Sequence, residues 1–586
     1  MTTPLQAGLS CEVNMPKTVN EVFRDFVRYT GDGLPGQPVG HPLPVGDPRS
    51  GTHHPSKGDI REALGGIWGA AQAATDAVEA ALDAVADIYG ATFYAASLPE
   101  LLAHTGTGYP TGTVFATRAE KFSYQVVSSD PDLATAGGVM LRVLPSADGL
   151  ILLAAWGVDT TGAVDCTAAF QQAVNRAPGP QGGTVVLPRG RILLNGTVHR
   201  KLNAGGALGR AFAIVGSVCG NTTVVVGHAE AGIYLEGPTG SFASGVECFG
   251  FRMEAATAGV GTGMRLTGIA RSDFNVQFRN LNVGLDCEAV LISKFHTRAE
   301  YCNIGVYLRK EGHFGGDWGV SGCNENHFSG DLGMCKRYGM IADTIRGITL
   351  DMHVERCGDV DVAGGGVHNT SRGGVWFINP AGTLRMRGSS EDCGRTITGN
   401  AGTGVVYAYT DGTSAERWTL DLQGWNFFGT LGRPDHFVTV GQHASAGYGS
   451  VVLTGVTFRD NAAYTPNAGR DKIHIGATAP NMRCVLEGVS MTHASTEMSW
   501  NASTDYVVIN SSDIGPDTQI YVRGSGSFGQ VIEGAFDVAS LALPANTKVS
   551  LSGAGATGCW IRYSPTANAF QIGTGVNDVK HTFSLT

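Results

Sequence analysis

Short β-branched or aliphatic runs, each closed by Gly, Asn or Asp, succeed one another along the middle of this chain: FAIVGS, TTVVVG, AGIYLEG, GMRLTGI, YGMIAD, GITLDM, GGVWFIN and TLRMRG. Runs of that length bounded by turn residues read as strands. At 586 residues the chain exceeds the size at which a single core stops growing, so it holds either several domains or one long repetitive one. Glycine decides between them. With 84 Gly, 16% charged and 42% apolar residues, the chain is turn-rich without being disordered, which suits short strands separated by tight bends.

Cysteine supplies a register for the repeats. AEYCNIGVYL, DLGMCKRYGMIA, HVERCGDVDV and SSEDCGRTIT place Cys302, Cys335, Cys357 and Cys393 at one rung position, at intervals of 33, 22 and 36 residues, each followed by a Gly-containing bend. The middle interval is a minimal coil and its neighbours carry loops. Two positions before these cysteines lie Glu300, Gly333, Glu355 and Glu391; four before lie Arg298, Asp331, His353 and Ser389; six before lie His296, Ser329, Asp351 and Arg387. Coils stacked at the strand spacing of about 4.8 Å would bring these residues onto one strand face. The interior of such a stack is filled, so function belongs to its outer faces and loops.

That face has the makings of glycoside hydrolysis, which needs one carboxylic acid to protonate the leaving oxygen and one carboxylate as base or nucleophile. Glu355 is the central candidate, with Glu391, Glu300, Asp331 and Asp351 as partners. Like charges one rung apart push one pKa up, which suits a general acid. His353 and Arg298 alternatively serve a β-elimination lyase, as base and as the cation beside a uronate. Trp318, in the loop GHFGGDWGVSG, and Trp376 and Trp425 further on are candidates for gripping the apolar face of a pyranose. The plainer alternatives stay open: a solvated polar face for the acids, and core or inter-subunit packing for each tryptophan.

Other chemistries find little support. No GxSxG motif and no phosphate loop occurs, which disfavours esterase and nucleotide chemistry. The twelve cysteines form no CxxC pair or Cys/His cluster, so no metal or cofactor is expected and the cysteines read as small buried residues. A net charge of −10 argues against nucleic acid. Neither a membrane span nor a secretory signal is read in the sequence.

Ahead of the repeats the pattern changes. Residues 1–59 are Gly- and Pro-rich, and from Ile60 the positions Ile60, Leu64, Ile67, Ala71, Ala74, Val78, Ala81, Val85 and Ile88 step alternately by 4 and 3. That heptad seam predicts a helix associating with copies of itself, or one amphipathic helix packed within its own chain. Residues 91–150 then show strand-like alternation around Val114, Phe115, Tyr124, Val126 and Val127.

Ala155 to Val198 reads as a loop carrying Asp159, a helix with Asp165 as N-cap, a stop at Pro178 and Gly179, and two strands punctuated by Pro188 and Gly190. Cys166, Ala169, Phe170, Ala173, Val174 and Ala177 recur at helical spacing, as in a plug laid across the end of a strand stack. Asp165, Thr167, Ala169, Gln171 or Gln172, Ala173, Gly182 to Leu187, Pro188 and Gly190 match the patterns "DxTxAxQxA" and "GGTVxLPxGxY", with Arg191 and Ile192 where Tyr is commoner. The segment resembles the opening of the right-handed parallel β-helix proteins of the pectate-lyase-like superfamily. SGTHHPSKGDIREAL resembles a module at the N-termini of some bacteriophage tail proteins, and RAEKFSYQVV with ATAGGVMLRVL is similar to the small β domain that precedes the β-helix in phage tailspikes.

These resemblances imply a mainly β, homotrimeric tailspike without a cofactor. They imply a virion-attachment segment (1–59) meeting phage tail or baseplate proteins, a small β domain (91–150) and a parallel β-helix (151–504), with the heptad seam as a coiled coil (60–90). From about Asp505, DYVVINS, QIYVRGS, TKVSLSG and CWIRYSP read as alternating strands joined by polar turns, a C-terminal β-sandwich-like cap (505–586) for trimerisation or glycan binding. Such a protein is assembled in the host cytoplasm, rides on the virion without inserting in membranes, and hydrolyses a bacterial capsule, exopolysaccharide or O-antigen. A lyase, a non-catalytic adhesin and a purely structural tail component remain alternatives.

Overall fold

The computed structural model describes residues 92–177, 183–202, 212–320, 322–358 and 373–393, together with residues 69 and 71–79 and a succession of shorter segments between 404 and 584. The expected attachment segment, 1–59, lies outside the described residues, as does most of the expected coiled coil. Within the latter, residues 71–79 are helical and exposed. The chain divides into two compact units, Met1–Ser97 with Gly106–Ser128, and Leu98–Thr105 with Ser129–Thr586.

In the first unit, Thr92–Ala95 pairs in parallel with Val114–Thr117, which pairs antiparallel with Ser123–Val126. Phe93, Tyr109 and Phe115 pack as a cluster with ring centroids 4.9 to 5.3 Å apart. Tyr124 is fully buried, and that burial pushes its phenol well above the usual range.

The second unit is a parallel β-helix. It opens with a loop organised by Asp159, whose carboxylate accepts the backbone N–H groups of Thr161, Ala163 and Val164 and the Thr161 hydroxyl. Helix α1 (Thr167–Arg176) follows. Phe170, Ala173 and Val174 are buried, as are Cys166 and Ala177 at its ends. The N-cap position falls on Cys166, whose side chain caps nothing, rather than on the expected Asp165. Asp165 acts from one residue further out: its Oδ1 accepts the Thr167 N–H and also the Asn195 N–H, tying the helix start to the first coil.

The helix then covers a sheet edge. Gln171 donates to the His199 carbonyl and accepts the His199 N–H, both at 2.7 Å, satisfying backbone groups that an edge strand leaves open. Arg200 on that same strand donates to the carbonyls of Asn175 and Ala177 at the helix C-terminus, where unpaired carbonyls favour a cation.

Beyond the plug, each coil contributes a strand to each of two parallel sheets. The first sheet runs through Ala231–Glu236, Thr262–Ala270, Val283–Leu291, Ile304–Arg309, Tyr338–Asp343 and Gly373–Ile378. Thr262 pairs with Val283 and Val283 with Ile304, a turn of 21 residues. The second sheet carries β1 (Asp273–Arg279), β2 (Lys294–Glu300), β3 (Asn324–Gly333), β4 (Arg346–Glu355) and β5 (Ala381–Glu391). After β5 it bends into β6 (Trp418–Gln423) and β7 (Asn426–Gly429).

Inside the second sheet aromatic residues stack along the axis: Phe274 on Phe295 at 4.9 Å and Phe295 on Phe328 at 4.5 Å, all essentially buried. Cys302, Cys335, Cys357 and Cys393 are buried on the successive coils expected for them. Three of these thiols donate to a carbonyl one coil back: Cys335 to Ala299, Cys357 to Leu332 and Cys393 to Val354, at 3.3 to 3.7 Å. Burial pushes the thiols of Cys302, Cys357 and Cys393 up, Cys302 to about 12.

The bends beside the ladder use residues with side chains as well as glycine: Gly358, directly after Cys357, has φ 72°. Each cysteine follows a residue in the left-handed region, Tyr301, Met334, Arg356 and Asp392, with φ between 51° and 56°. The N–H of that residue donates to the carbonyl of the next coil's Gly333, Glu355, Glu391 or Phe428. That interstrand bond offsets the cost of left-handed backbone, on the order of 1–2 kcal/mol for a residue with a side chain.

Parallel pairing continues past Asp505, through Thr504–Asn510, Gln519–Arg523, Gln530–Glu533, Ser540–Ala542 and Lys548–Ser550. Within the span expected for the C-terminal cap, antiparallel pairing begins with Lys548–Ser550 to Cys559–Ser564, followed by Ala569–Thr574 and Asp578–Ser584. Alternating apolar residues mark a half-buried strand without telling a coil from a hairpin.

Candidate active site

Strands β1 to β7 alternate side chains between lumen and solvent, so every second residue joins an outward grid whose rows are fixed by backbone pairing. Arg279, Glu300, Gly333, Glu355, Glu391, Phe428 and Arg459 pair in succession and form one column. Gln277, Arg298, Asp331, His353, Ser389 and Asn426 form the next. His296, Ser329, Asp351 and Arg387 form a third. The cysteine register therefore places all five acidic candidates on one face.

The geometry around the carboxylates is specific. Glu355 and Glu391 are direct rung partners and both half-buried, so their backbones stand about 4.8 Å apart. Glu300 is two rungs from Glu355, with the bare Gly333 between them. Arg298 is bound to Glu300 at 2.6 Å. Asp331 is exposed one rung before His353, whose Nδ1 lies 2.7 Å from Ser389 Oγ. Asp351 is engaged by His327 Nε2 at 2.7 Å, and His296 Nδ1 meets Ser329 Oγ at 3.2 Å. Upstream on the same strands a groove of about 360 Å³ is lined by His327, Arg346, Thr349 and Arg385, among others. Among the described residues no cluster of three or more metal-ligating side chains occurs.

The three tryptophans do not join this face. Trp425, fully buried at the bend between β6 and β7, donates its indole N–H to Ser390 Oγ. Trp376 is 2% exposed and stacks on Tyr407 at 4.2 Å over the first sheet. Trp318 is 6% exposed and wedges against the Gly268 backbone. Its loop folds onto the first sheet, where Gly312 and Phe314 N–H groups bind the Glu288 carboxylate and Arg309 binds Asp286. Burial raises the Glu288 carboxyl despite those hydrogen bonds. Large aromatic area favours burial wherever a loop or bend offers it, and loop paths were not legible in the spacing.

Two aromatic residues flank the carboxylates instead. Phe428 is the rung neighbour of Glu391, with the Arg459 guanidinium 5.7 Å from its ring centroid. Tyr301 follows Glu300 at the bend, 40% exposed, with Arg279 5.6 Å over its ring. Column position was readable for Glu391, but Phe428 sits 37 positions on and lies across a bend in the sheet that no residue type announces. The pairings His327 with Asp351 and His353 with Ser389 were missed likewise, because each depends on side-chain direction within a column.

No protein-family model matches the chain, and no curated protein matches it. Solved structures are similar to it at low identity. The tailspike gp42 of Acinetobacter phage vb_AbaP_AS12 is 11% identical, with 84% of this chain and 94% of that one covered and a TM-score of 0.45. The enzymatically active domain of bacteriophage CBA120 tailspike protein 2 is 11% identical over 67% of this chain, which spans 57% of that protein, with a TM-score of 0.44. The catalytic unit of a GH87 alpha-1,3-glucanase from Streptomyces thermodiastaticus strain HF3-3 is 13% identical, covering 72% of this chain and 74% of that one, with a TM-score of 0.36.

Proposed function

We propose that the chain is a phage tailspike whose β-helix binds and depolymerises a bacterial surface polysaccharide by glycoside hydrolysis. The observation that carries this reading is the stacking of Glu355 on Glu391 in one outward column, bordered by Phe428 and, two rungs back, by Glu300 with Tyr301. Carboxyl groups about 5–5.5 Å apart are the arrangement of a retaining glycosidase: one protonates the leaving oxygen while the other attacks the anomeric carbon, and water then releases the glycosyl group. Phe428 and Tyr301 offer ring faces for pyranoses to either side of the scissile bond. The resemblance of Ser50 to Leu64 and of Ala155 to Val198 to phage tail and β-helix segments supports the setting: a homotrimer held to the virion through its N-terminal region.

A second reading, β-elimination, is favoured by His353, fixed by Ser389 one column from the acids, with Arg298 two rungs earlier in that column. One experiment separates the readings. Purified protein is mixed with polysaccharide extracted from candidate host strains. New reducing ends without ultraviolet absorbance support hydrolysis, absorbance from unsaturated uronates supports elimination, and saturable binding with neither product leaves an adhesin.

A further inference from the structure

Asp331, His353 and Ser389 occupy three consecutive rungs of a single column, on β3, β4 and β5. In that order they are an acid, a base and a hydroxyl nucleophile, brought together across intervals of 22 and 36 residues. The contact that matters for nucleophilic chemistry is made: His353 Nδ1 lies 2.7 Å from Ser389 Oγ, within the reach required of a general base. With the serine hydroxyl donating to Nδ1, the ring proton resides on Nε2. Asp331, exposed one rung away at about 4.8 Å, is the carboxylate the register offers to that proton. Arg387 precedes Ser389 by two residues on the same outward face, about 7 Å away by the pleat repeat. Its Nε and Nη2 both donate to Gln423, a neutral partner, and its Nη1 has no partner among the described residues.

We propose that this column is a second reactive centre, an O-deacylase that removes small acyl esters from sugar hydroxyls. Ser389 lies half-buried on an open strand face between Arg387 and Glu391, so it reaches substituents that project from a chain lying on the face. Ser389 Oγ attacks the acyl carbon as its proton passes to His353 Nδ1, and the developing oxyanion is placed toward Arg387 Nη1. The acyl carbon–oxygen bond to the sugar breaks and His353 returns the proton to the departing sugar oxygen. A water then attacks the acyl-serine with His353 again taking a proton, releasing the carboxylic acid and restoring the Ser389 hydroxyl. The sum is ester plus water to alcohol plus acid, with no co-reactant. Asp331, by register the nearest carboxylate, lends its charge to the imidazolium without making the direct hydrogen bond to the ring that the third member makes in such triads on unrelated folds. The absence of a GxSxG motif does not weigh against it, because that motif belongs to a strand-to-helix elbow and Ser389 sits within a strand.

The test uses the full-length protein, a serine-directed fluorophosphonate probe and p-nitrophenyl acetate. The expected result is covalent labelling at Ser389 by peptide mapping, no labelling there in Ser389→Ala, and a loss of about 100-fold or more in labelling rate in His353→Ala, with acetate release falling in parallel. Melting curves check that the variants are folded. Wild-type protein unlabelled at Ser389, or Ser389→Ala releasing acetate at the wild-type rate, overturns the proposal and leaves the Ser389 to His353 bond as part of the ladder. Reducing ends judge the depolymerase reading and acetate judges this one, so each fails separately.

Discussion

Replacing Glu355 or Glu391 by Gln keeps shape and hydrogen-bonding capacity while removing one charge from the pair. If each acts on the glycosidic bond, either substitution lowers kcat by about 10²–10⁴, on the order of 2.7–5.4 kcal/mol of transition-state stabilisation. Folding should respond in the opposite sense. Two carboxylates at the rung spacing repel by no more than about 0.9 kcal/mol in a water-like dielectric, and both side chains are half-buried. Neutralising Glu355 therefore leaves stability unchanged or slightly raised, less so at high salt. The assay is reducing-end release from extracted polysaccharide beside thermal melting of each variant, with proton NMR of the first-formed anomer. One-rung spacing predicts retention of configuration. Two folded, fully active variants would remove the acid pair, and an inverted product would move the chemistry to Glu300 and Glu355, two rungs apart with Gly333 between them.

Three further expectations concern the frame that holds the face. Phe295→Ala empties a lumen site stacked on both sides by Phe274 and Phe328; it should cost about 3–5 kcal/mol, read as a denaturation midpoint, and a change below about 1 kcal/mol would contradict the packed lumen. Gly388 has φ +126° and its added Cβ would overlap the Met352 carbonyl, whereas Gly424 has φ +61° with nothing within 4 Å. Gly424→Ala should therefore cost about 1–2 kcal/mol, while Gly388→Ala yields little soluble folded protein; equal behaviour of the two would refute the close approach. The hydrogen bonds from Val164 and Thr161 hold the Asp159 carboxyl well below the usual carboxylate range. Its stabilisation is thus present above the unfolded value of about 3.9 and fades as acid titrates the folded group. Asp159→Asn should lower the melting temperature at pH 7, with a gap to wild type that narrows below about pH 4; a gap independent of pH would show that charge plays no part there.

The chain's register was legible because one small buried residue recurs at the same rung of four successive coils. Cys302, Cys335, Cys357 and Cys393 do so, and the pairings of Glu300, Gly333, Glu355 and Glu391 follow from them. The plug was legible from helical spacing, though the cap shifted by one residue from Asp165 to Cys166. The bends escaped notice because Tyr301, Met334, Arg356 and Asp392 share no chemistry; their left-handed backbone is held by a hydrogen bond to the next coil.

The sequence by itself determined a stack of coils, its capped end and which acids share a column, since all three follow from periodicity along the chain. Only the tertiary structure decided that Trp318, Trp376 and Trp425 are buried, that Phe428 borders Glu391, and that His353 meets Ser389. Loops of unequal length set those neighbours, and a side chain's direction within a column depends on what the adjacent coils place beside it, which no local pattern encodes.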